Sequence, residues 1–489
     1  MKLRALLEGV DVRDSRGDLD VEITSVTADS RLVAPGALFV AVPGFKTDGA
    51  KFIESATSKG AAAIAGESSA ASVQVDDARS ALAVIAANFY GRPADKLSIA
   101  GVTGTSGKTT TTKMIESIFD AAGQPVGLIG TIEYRAGEER LVADRTTPDA
   151  VVLQQWFAKM VDAGVRNAVM EVSSHALALK RTYGIHFAAA VFTNLSQDHF
   201  DFHKDFEDYF AAKRILFDQI DRSRKTAIVN IDDEYGRRLA GELGNCVVSF
   251  GRSANADIHP ADGFEIDVRG LHGSVVTPPG DVRVDSKLLG APNLYNWLGA
   301  IGAALAVGID IATIEAGIRN LAAVRGRFEY VESESGPTVI VDYAHKPDAL
   351  DKLLQAVRGL APDRRLVLLF GCGGDRDKDK RAKMGAIAAR LADRTILTSD
   401  NPRGEKPEAI LDDIEQGMRG AANYARITDR REAIFRTISE AADDDVIVIA
   451  GKGHESYQVI GDQVIHFDDR EEAERALKRK HEKAASKSA

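Results

Sequence analysis

Short apolar runs alternate with segments of helical periodicity over most of the chain. In the middle of the sequence these runs fall at 97–102, 166–172, 188–195 and 225–232. Nearer the C-terminus they fall at 338–344, 365–371, 394–400 and 445–451. Apolar strands of this length, separated by amphipathic helices, are typical of βαβ units. The pattern therefore predicts two α/β regions with largely parallel sheets.

The remaining segments predict smaller elements. Near the N-terminus, apolar runs at 37–42 and 61–66 precede a helical stretch at 78–91, and proline follows at position 93. This order predicts a small α/β region. Between the two larger regions, 247–287 predicts short strands joined by turns, and 293–308 predicts a helix.

The length of 489 residues exceeds what a single hydrophobic core supports and predicts roughly three domains. We expect an α/β fold with a small N-terminal α/β domain over 1–96. A central domain of P-loop type with a mostly parallel sheet follows over 97–328, and a Rossmann-like α/β domain over 329–489.

Composition and charge exclude several classes of protein. Hydrophobic residues make up 44% and charged residues 27% of the chain, as in ordinary soluble domains. The net charge is −10 with lysine and arginine spread along the sequence, so we expect no nucleic-acid partner. No long apolar stretch indicates a signal peptide or membrane span, and Cys246 and Cys372 form no disulfide framework. We expect a cytoplasmic protein without a membrane partner.

The stretch GVTGTSGKTTTT at 101–112 has the composition of a phosphate-binding loop. It follows an apolar strand and leads into a helical pattern, so backbone N–H groups and the helix dipole would face an anion. Lys108 would neutralise the outer phosphates, and the hydroxyl of Thr109 would reach Mg²⁺. The usual P-loop spacing fails because Val102 stands where its first glycine belongs. A tight glycine turn with a solvated lysine is the alternative.

Two further residues predict a metal site. Glu171 ends an apolar strand, and His199 lies just beyond the next strand in the sequence. Ligands collect at the carboxyl ends of parallel strands, so adjacent strand ends would place both side chains against the phosphates of ATP. Each residue could equally be a hydrogen-bonded structural group.

Lys213 stands in DYFAAKRILF, within a helical pattern. From the residues alone, an exposed lysine on an amphipathic helix is the favoured interpretation, because lysine is mostly exposed.

These segments together resemble the Mur ligase superfamily. GTSGKTT is similar to the family's ATP loop, and the Y-x-x-A-K context of Lys213 to the segment whose lysine carries a CO₂-derived carbamate. The resemblance implies ATP as substrate, Mg²⁺ as cofactor and metal ligation by Thr109, Glu171, His199 and Lys213 as its carbamate. It implies ATP binding by Gly104, Thr105, Ser106, Gly107, Lys108, Thr109, Thr110, Asn293, Asn296, Arg327, Asp342 and His345. After His345 this chain has Lys346, where the family often has threonine.

The segment TSDNPRGEKP at 398–407 resembles the signature of the MurE ligases, which add meso-diaminopimelate to UDP-N-acetylmuramoyl-L-alanyl-D-glutamate. Diaminopimelate has a second carboxylate that lysine lacks, and Arg403 can pair with it through two hydrogen bonds. Read alone, Asn-Pro after a strand is a plain turn. With GDRD and AGKGHE in the same chain, the resemblance implies diaminopimelate binding by Arg376, Asp400, Asn401, Pro402, Arg403, Gly451 and Glu455.

The same resemblance assigns the nucleotide-sugar peptide to the N-terminal domain and the edge of the central one. The implied contacts are Ser30, Phe45, Lys46, Thr47, Thr146, Thr147, Ser173 and Arg181. Two positions depart from some relatives, with Arg145 in place of asparagine and Leu179 in place of glutamine.

The implied reaction is ATP-dependent amide ligation through an acyl phosphate, catalysed with Lys108, Glu171, His199 and Lys213. We expect a monomer whose partners are small molecules. One alternative is another ligase of the same superfamily, such as the lysine-adding MurE type, the D-Ala-D-Ala-adding type or a folylpolyglutamate synthetase. The other is a regulatory module that hydrolyses ATP without forming an amide. The latter would not need Arg376, Arg403 and Glu455.

Overall fold

A computed structural model describes residues 1–44, 47–267, 269–331, 333 and 336–488, with side chains described as far as 482. The chain forms two compact units. The first comprises Met1–Pro260, Val275–Val282 and Tyr295–Gly317. The second comprises Ala261–Ser274, Arg283–Leu294 and Ile318–Ala489. Within the described part, no helix is both long and apolar enough to span a membrane.

The N-terminal part of the first unit is a five-stranded sheet with helices, as the apolar runs predict. The strands pair in the order β1-β5-β4-β3-β2, and only β1 is antiparallel to its neighbour. Every residue of β3 and β4 is buried, which explains their unbroken apolar sequence. The elements are α1 (Leu3–Leu6), β1 (Val12–Ser15), β2 (Ser25–Thr27), β3 (Ala37–Ala41), α2 (Ile53–Ser58), β4 (Ala63–Gly66), β5 (Val73–Val75) and α3 (Ala78–Phe89).

An eight-stranded sheet forms the centre of the first unit, in the order β13-β12-β11-β6-β10-β7-β8-β9. The strands from β13 to β7 are parallel, whereas β8 and β9 add an antiparallel edge. The elements are β6 (Ser98–Thr103), α4 (Lys108–Ala121), β7 (Val126–Ile129), β8 (Glu133–Ala136), β9 (Glu139–Val142), α5 (Ala150–Asp162), β10 (Asn167–Glu171), α6 (Ser174–Ala178), β11 (Ala189–Phe192), α7 (Phe206–Arg214), β12 (Ala227–Asn230), α8 (Glu234–Leu243) and β13 (Val247–Phe250).

One prediction about this sheet is wrong. The sequence suggested adjacent ends for the strands before Glu171 and His199, but β10 and β11 flank β6 on opposite sides. The order of strands along a chain does not fix their order in a sheet, because crossover helices let one strand skip a neighbour. The phosphate-loop strand β6 is therefore the central one of the three.

Beyond β13, the described residues of the segment predicted to be rich in strands form four short strands, and helices follow the segment. Strand β16 pairs with β14, β15 and β17. The elements are β14 (His259–Pro260), β15 (Glu265–Asp267), β16 (Gly270–Val276), β17 (Val282–Ser286), α9 (Ala291–Ala306) and α10 (Ile311–Asn320).

The C-terminal part of the second unit has a six-stranded sheet in the order β18-β19-β23-β20-β21-β22, with only β18 antiparallel. An α/β fold with this C-terminal sheet confirms the predicted fold class. The elements are β18 (Glu329–Val331), β19 (Thr338–Asp342), α11 (Pro347–Leu360), β20 (Leu366–Phe370), α12 (Asp379–Leu391), β21 (Arg394–Leu397), α13 (Pro407–Glu415), β22 (Tyr424–Arg426), α14 (Arg430–Glu440), β23 (Val446–Ala450), β24 (Tyr457–Ile460), β25 (Gln463–His466) and α15 (Asp469–Ser488).

A buried ion pair joins α14 to α15 in this unit. The side chains of Arg430 and Asp469 are both 0% exposed and pair at 2.7 Å. Arg430 also donates to the backbone carbonyls of Ser399 and Ala450, at 3.3 Å and 3.0 Å. One guanidinium thus holds the carboxyl ends of β21 and β23, where the segments 399–403 and 451–455 begin.

We predict that Arg430→Leu lowers the free energy of unfolding by about 3–5 kcal/mol, because it leaves the buried Asp469 carboxylate without its cation. Urea denaturation measures this loss. The double variant Arg430→Leu/Asp469→Leu is expected to recover part of it, since no buried charge remains while two carbonyls lose their donor. A loss below about 1 kcal/mol in the single variant would contradict the prediction.

Candidate active site

The loop between β6 and α4 has the backbone geometry of an anion cradle. Gly104 and Gly107 adopt φ angles of 144° and 89°. A Cβ atom would lie 1.9 Å from Oγ1 of Thr193 at the first position and 2.4 Å from Oδ1 of Asn296 at the second. Only glycine fits both positions. The first N–H groups of α4 follow directly, and such groups favour an anion.

Val102 explains the unusual spacing of the loop. It is a fully buried residue of β6, opposite Glu171 of β10 and Val191 of β11. A position in the centre of a sheet calls for an apolar side chain. The loop therefore begins only at Gly104, and the glycine of the ordinary P-loop has no counterpart here.

Asn194, which the sequence analysis did not single out, anchors this loop. Its Oδ1 accepts a hydrogen bond from the backbone N–H of Ser106 at 3.0 Å, and its Nδ2 donates to the Ser106 carbonyl at 3.1 Å. Its own carbonyl accepts from the N–H of Thr105 at 2.9 Å. The TNL segment after β11 thus fixes the shape of the loop.

The amines of Lys108 and Lys213 both donate to the carbonyl of Gly104, each at 2.8 Å. Lys213 is 1% exposed, so the interpretation as an exposed helix lysine is wrong. Its amine lies 4.4 Å from the centre of the Tyr209 ring. Burial, followed by repulsion from Lys108, holds the pKa of Lys213 well below its usual value. A lower pKa increases the fraction of neutral amine, which is the nucleophilic form.

Glu171 is a buried carboxylate whose donors in the described part of the chain are all neutral. Its Oε2 accepts hydrogen bonds from the hydroxyls of Thr109 at 2.9 Å and Thr131 at 3.0 Å, and its Oε1 from the Thr131 N–H at 2.8 Å. A carboxylate that is 1% exposed and has no ion pair among the described residues suits a bound cation. The hydroxyl and carboxylate oxygens are the ligand type that Mg²⁺ prefers.

His199 lies beyond β11 with a left-handed backbone, at φ 58°. Its Nε2 is 3.3 Å from Oδ2 of Asp198, and its ring packs edge to face on His175 at 4.7 Å. Within the described residues, no three His, Cys, Asp or Glu side chains converge to hold a metal ion. Of the four predicted metal ligands, only Glu171 and His199 are residues of these types. The predicted site therefore also needs the threonine hydroxyl and a carbamate on Lys213.

A polar group follows Glu171 at the end of β10. Thr147 donates from its hydroxyl to the Glu171 carbonyl at 2.8 Å and accepts from the Ser173 N–H at 3.1 Å. Arg181 donates to the Thr147 carbonyl at 2.7 Å, and the hydroxyls of Thr146 and Thr131 lie 3.1 Å apart. The structure thus brings together four of the residues predicted to bind the nucleotide-sugar peptide.

The remaining predicted contacts of that substrate lie in the N-terminal part. Ser30 accepts a hydrogen bond from Lys59 through its carbonyl at 2.7 Å. Thr47 accepts one from the Gly44 N–H at 3.2 Å. Phe45 and Lys46 lie outside the described residues.

The two predicted adenine-side asparagines differ in surroundings. Asn296 is buried in the first unit, and its Oδ1 accepts from the Thr111 hydroxyl at 3.3 Å. Asn293 is buried in the second unit, and its Nδ2 donates to the Leu289 carbonyl at 2.9 Å.

Three other residues predicted to bind ATP cluster in the second unit. The guanidinium of Arg327 lies 4.7 Å from the centre of the Tyr343 ring. Asp342 accepts from the N–H groups of Phe328 and Ala344, each at 2.7 Å, and burial raises its pKa. Burial lowers the pKa of His345 to about 4, so its ring is neutral near pH 7 and can accept a hydrogen bond.

The DNPR segment forms a second polar group in this unit. Arg403 has a left-handed backbone at φ 50°, and its guanidinium donates to the Gly374 carbonyl at 2.9 Å. Its N–H donates to Val459, at 3.1 Å, and its carbonyl accepts from Gly461, at 2.8 Å, so the β24–β25 hairpin holds it. Arg376 is exposed and donates to the Asp375 carbonyl at 3.4 Å.

Asn401 connects the two predicted diaminopimelate segments. Its Nδ2 donates to Oε2 of Glu455 at 2.8 Å. Asp400 and Pro402 on either side of it are buried, and a Cβ on Gly451 would lie 2.8 Å from Oδ2 of Asp400. The carboxyl ends of β21 and β23 thus converge, and side chains of both signs of charge lie close together there.

Besides Asn194, sequence reasoning missed the half-buried Thr131 and the buried Tyr209 and Lys452. Thr131 follows a strand that the apolar pattern did not reveal, and Tyr209 shares the Y-x-x-A-K segment with Lys213. Lys452 stands within AGKGHE, beside residues that were singled out. No periodicity signals its burial, because it follows β23 in a loop.

Comparison with protein-family models gives matches along most of the chain. The Mur ligase middle domain matches residues 102–304, and the Mur ligase glutamate ligase domain matches 326–453. The Mur ligase family catalytic domain matches 22–90.

Curated relatives and a solved structure agree with these matches. The UDP-N-acetylmuramoyl-L-alanyl-D-glutamate–2,6-diaminopimelate ligase of Gloeobacter violaceus is 46% identical over 98% of this chain and 99% of its own. The ligase of the same name from Bacillus licheniformis is 45% identical over 98% of this chain and 99% of its own. A solved structure of such a ligase superposes with a TM-score of 0.72 at 31% identity, over 98% of this chain and 99% of that one.

Proposed function

Since this chain belongs to the Mur ligase family, we propose that it joins meso-diaminopimelate to UDP-N-acetylmuramoyl-L-alanyl-D-glutamate in peptidoglycan precursor synthesis. It is an ATP-dependent ligase. The observation that carries the assignment is identity of 46% with a ligase of that activity over nearly the full length of both chains. Cytoplasmic location and a monomeric state belong to the same proposal.

In the first half-reaction, an oxygen of the substrate carboxylate attacks the γ-phosphorus of ATP, and ADP leaves with the electrons of the broken P–O bond. The work of the protein is positioning and charge neutralisation. The N–H groups at the start of α4 and the amine of Lys108 are suited to the phosphates. Thr147, Ser173 and Arg181 at the end of β10 are suited to the peptide of the acceptor.

In the second half-reaction, the amine of diaminopimelate attacks the acyl carbon, and inorganic phosphate leaves as the nitrogen loses a proton. Arg403 supplies two N–H donors for the distal carboxylate, and Glu455 an anion for the distal ammonium. Asp400, Asn401 and Gly451 form the wall of this pocket. A substrate without the distal carboxylate leaves the arginine without an anionic partner.

Mg²⁺ suits the oxygen-rich group at Glu171, where it would neutralise charge on the phosphates. Thr109, Glu171 and His199 would hold it together with Lys213 in carbamylated form. The carbamate forms when the neutral amine attacks the carbon of CO₂ and the nitrogen loses a proton. Burial and the nearby Lys108 support this assignment, because both disfavour the ammonium form, and the positive charge of Lys108 favours an anion in its place.

The experiment that tests the proposed function is incorporation of a radiolabelled amino acid into UDP-N-acetylmuramoyl-L-alanyl-D-glutamate. We expect product with meso-diaminopimelate that depends on ATP and Mg²⁺, and at most a trace with L-lysine or D-Ala-D-Ala. Product with lysine alone would indicate the lysine-adding type. ATP hydrolysis that is indifferent to both the amino acid and the nucleotide would indicate a regulatory ATPase.

A further inference from the structure

Lys452 is a fully buried lysine at the end of β23. Its side chain is 0% exposed, and its Nζ lies 3.4 Å from Oε2 of Glu455. The same amine donates to Oδ1 of Asn401 at 3.1 Å. Lysine is almost never buried without partners. Both partners here are residues of the proposed diaminopimelate pocket.

Lys452 fixes the orientation of the Asn401 amide. Oδ1 of Asn401 accepts both from the Lys452 amine and from the Val459 N–H, which lies 3.0 Å away. Because both neighbours are donors, only the amide oxygen can face them. The amide Nδ2 must then face Glu455, to which it donates at 2.8 Å.

Lys452 also sets the charge of Glu455. Burial raises the pKa of Glu455, and the nearby Asp400 carboxylate adds to this effect, whereas Lys452 and the Asn401 hydrogen bond lower it. The other titratable or charged groups that interact with Glu455 are Tyr343, Tyr457 and Arg430. Lys452 is the cation that ion-pairs with Glu455 in the described part of the chain.

We propose that Lys452 is a positioning residue of the amino-acid pocket, which fixes the Asn401 amide and keeps Glu455 as the anion that binds the distal ammonium of diaminopimelate. The inference rests on the proposed function and deepens it, because Lys452 acts through Asn401 and Glu455 rather than by touching the substrate. A neutral residue at 452 would leave two carboxylates, Asp400 and Glu455, near each other in a partly buried pocket without this cation.

The test is Lys452→Met, which keeps the length of the side chain and removes its charge. We expect the KM for diaminopimelate to rise at least about tenfold, since a hydrogen-bonded charge partner is lost. The KM values for ATP and the nucleotide-sugar peptide should stay within about twofold. Because the variant raises the pKa of Glu455 further, the acid limb of kcat/KM for diaminopimelate should move to higher pH, with the largest loss at low pH.

Two further variants make the result interpretable. Lys406→Met removes an exposed lysine that follows the DNPR segment. It should leave the three KM values and the pH profile unchanged. In the Glu455→Gln background, Lys452→Met should cause little additional loss, because the charge it supports is already gone. This double variant leaves neither the ammonium of Lys452 nor the carboxylate of Glu455 buried without its partner, so it also serves if Lys452→Met folds poorly.

Three outcomes would overturn the proposal: a wild-type KM and pH profile in Lys452→Met, equal rises in all three KM values, or an undiminished effect in the Glu455→Gln background. An assay of the unmodified enzyme separates failure of the proposed function from failure of the inference about Lys452. If that enzyme does not incorporate diaminopimelate, the function is wrong irrespective of Lys452. If it does, the variants test Lys452 alone.

Discussion

Lys213→Ala is expected to lower kcat for ligation on the order of a thousandfold, with little change in thermal stability. The lysine is buried beside Lys108 and shares the Gly104 carbonyl with it, so two amines meet at one point of the phosphate loop. As a carbamate, Lys213 would place an anion there beside the amine of Lys108. Steady-state kinetics with saturating substrates measure the loss of kcat.

A conservative variant separates a carbamate from a buried cation. Lys213→Arg keeps a positive charge but offers no amine that CO₂ modifies, so we expect it to be as inactive as the alanine variant. Lys204→Ala removes an exposed lysine that precedes α7 and should retain activity. Carbon-13 NMR of the unmodified enzyme in labelled bicarbonate should show a carbamate signal that Lys213→Ala lacks. A wild-type rate in Lys213→Ala would remove the carbamate from the mechanism.

The second large effect is expected at Arg403. Arg403→Lys should lower kcat/KM for meso-diaminopimelate by roughly a hundredfold or more, because the two parallel hydrogen bonds of the guanidinium are lost. The value for L-lysine should stay the same or rise, so discrimination between the two amino acids collapses. The variant keeps the positive charge, and a lysine has the same backbone strain at φ 50° as an arginine. The main change is therefore the loss of the two parallel N–H donors of the guanidinium.

The measurement is kcat/KM for each amino acid at saturating ATP and nucleotide-sugar peptide. Arg419→Lys, at an exposed arginine after α13, is the matched control and should leave both values unchanged. Unaltered discrimination in Arg403→Lys would show that the distal carboxylate is recognised elsewhere. Arg376 would then be the next residue to test.

The sequence predicted strands well where both faces are buried. The apolar runs before Gly104, before Gly371 and before Gly451 correspond to β6, β20 and β23, which lie inside their sheets. It did not reveal β8, β9, β24 or β25, because edge strands and hairpins lack an unbroken apolar sequence. It also missed β7, which is buried inside its sheet but is only four residues long. The predicted strand ends differ from the observed ones by up to three residues: the runs at 188–195 and 394–400 end as strands at Phe192 and Leu397.

The sequence singled out residues that lie in recognisable motifs, but it did not single out the residues that contact them in the folded chain. Lys108, Glu171 and Arg403 stood out because each lies in a short segment with recognisable chemistry. Thr131, Asn194 and Lys452 did not, since their importance arises from contacts with residues distant in sequence. The hydroxyl of Thr131 meets Glu171 40 positions away, and Lys452 meets Asn401 at 51.

The α/β class, the phosphate-loop segment, the family and the segment proposed to select the amino acid could be predicted from the sequence, because these depend on local patterns of residue type. The tertiary structure alone decided that β6 lies between β10 and β11, since crossover connections leave strand order open. It also decided that Lys213 and Lys452 are buried, against the ordinary preference of lysine. Burial depends on what packs over a side chain, and no periodicity of its own helix or loop records that.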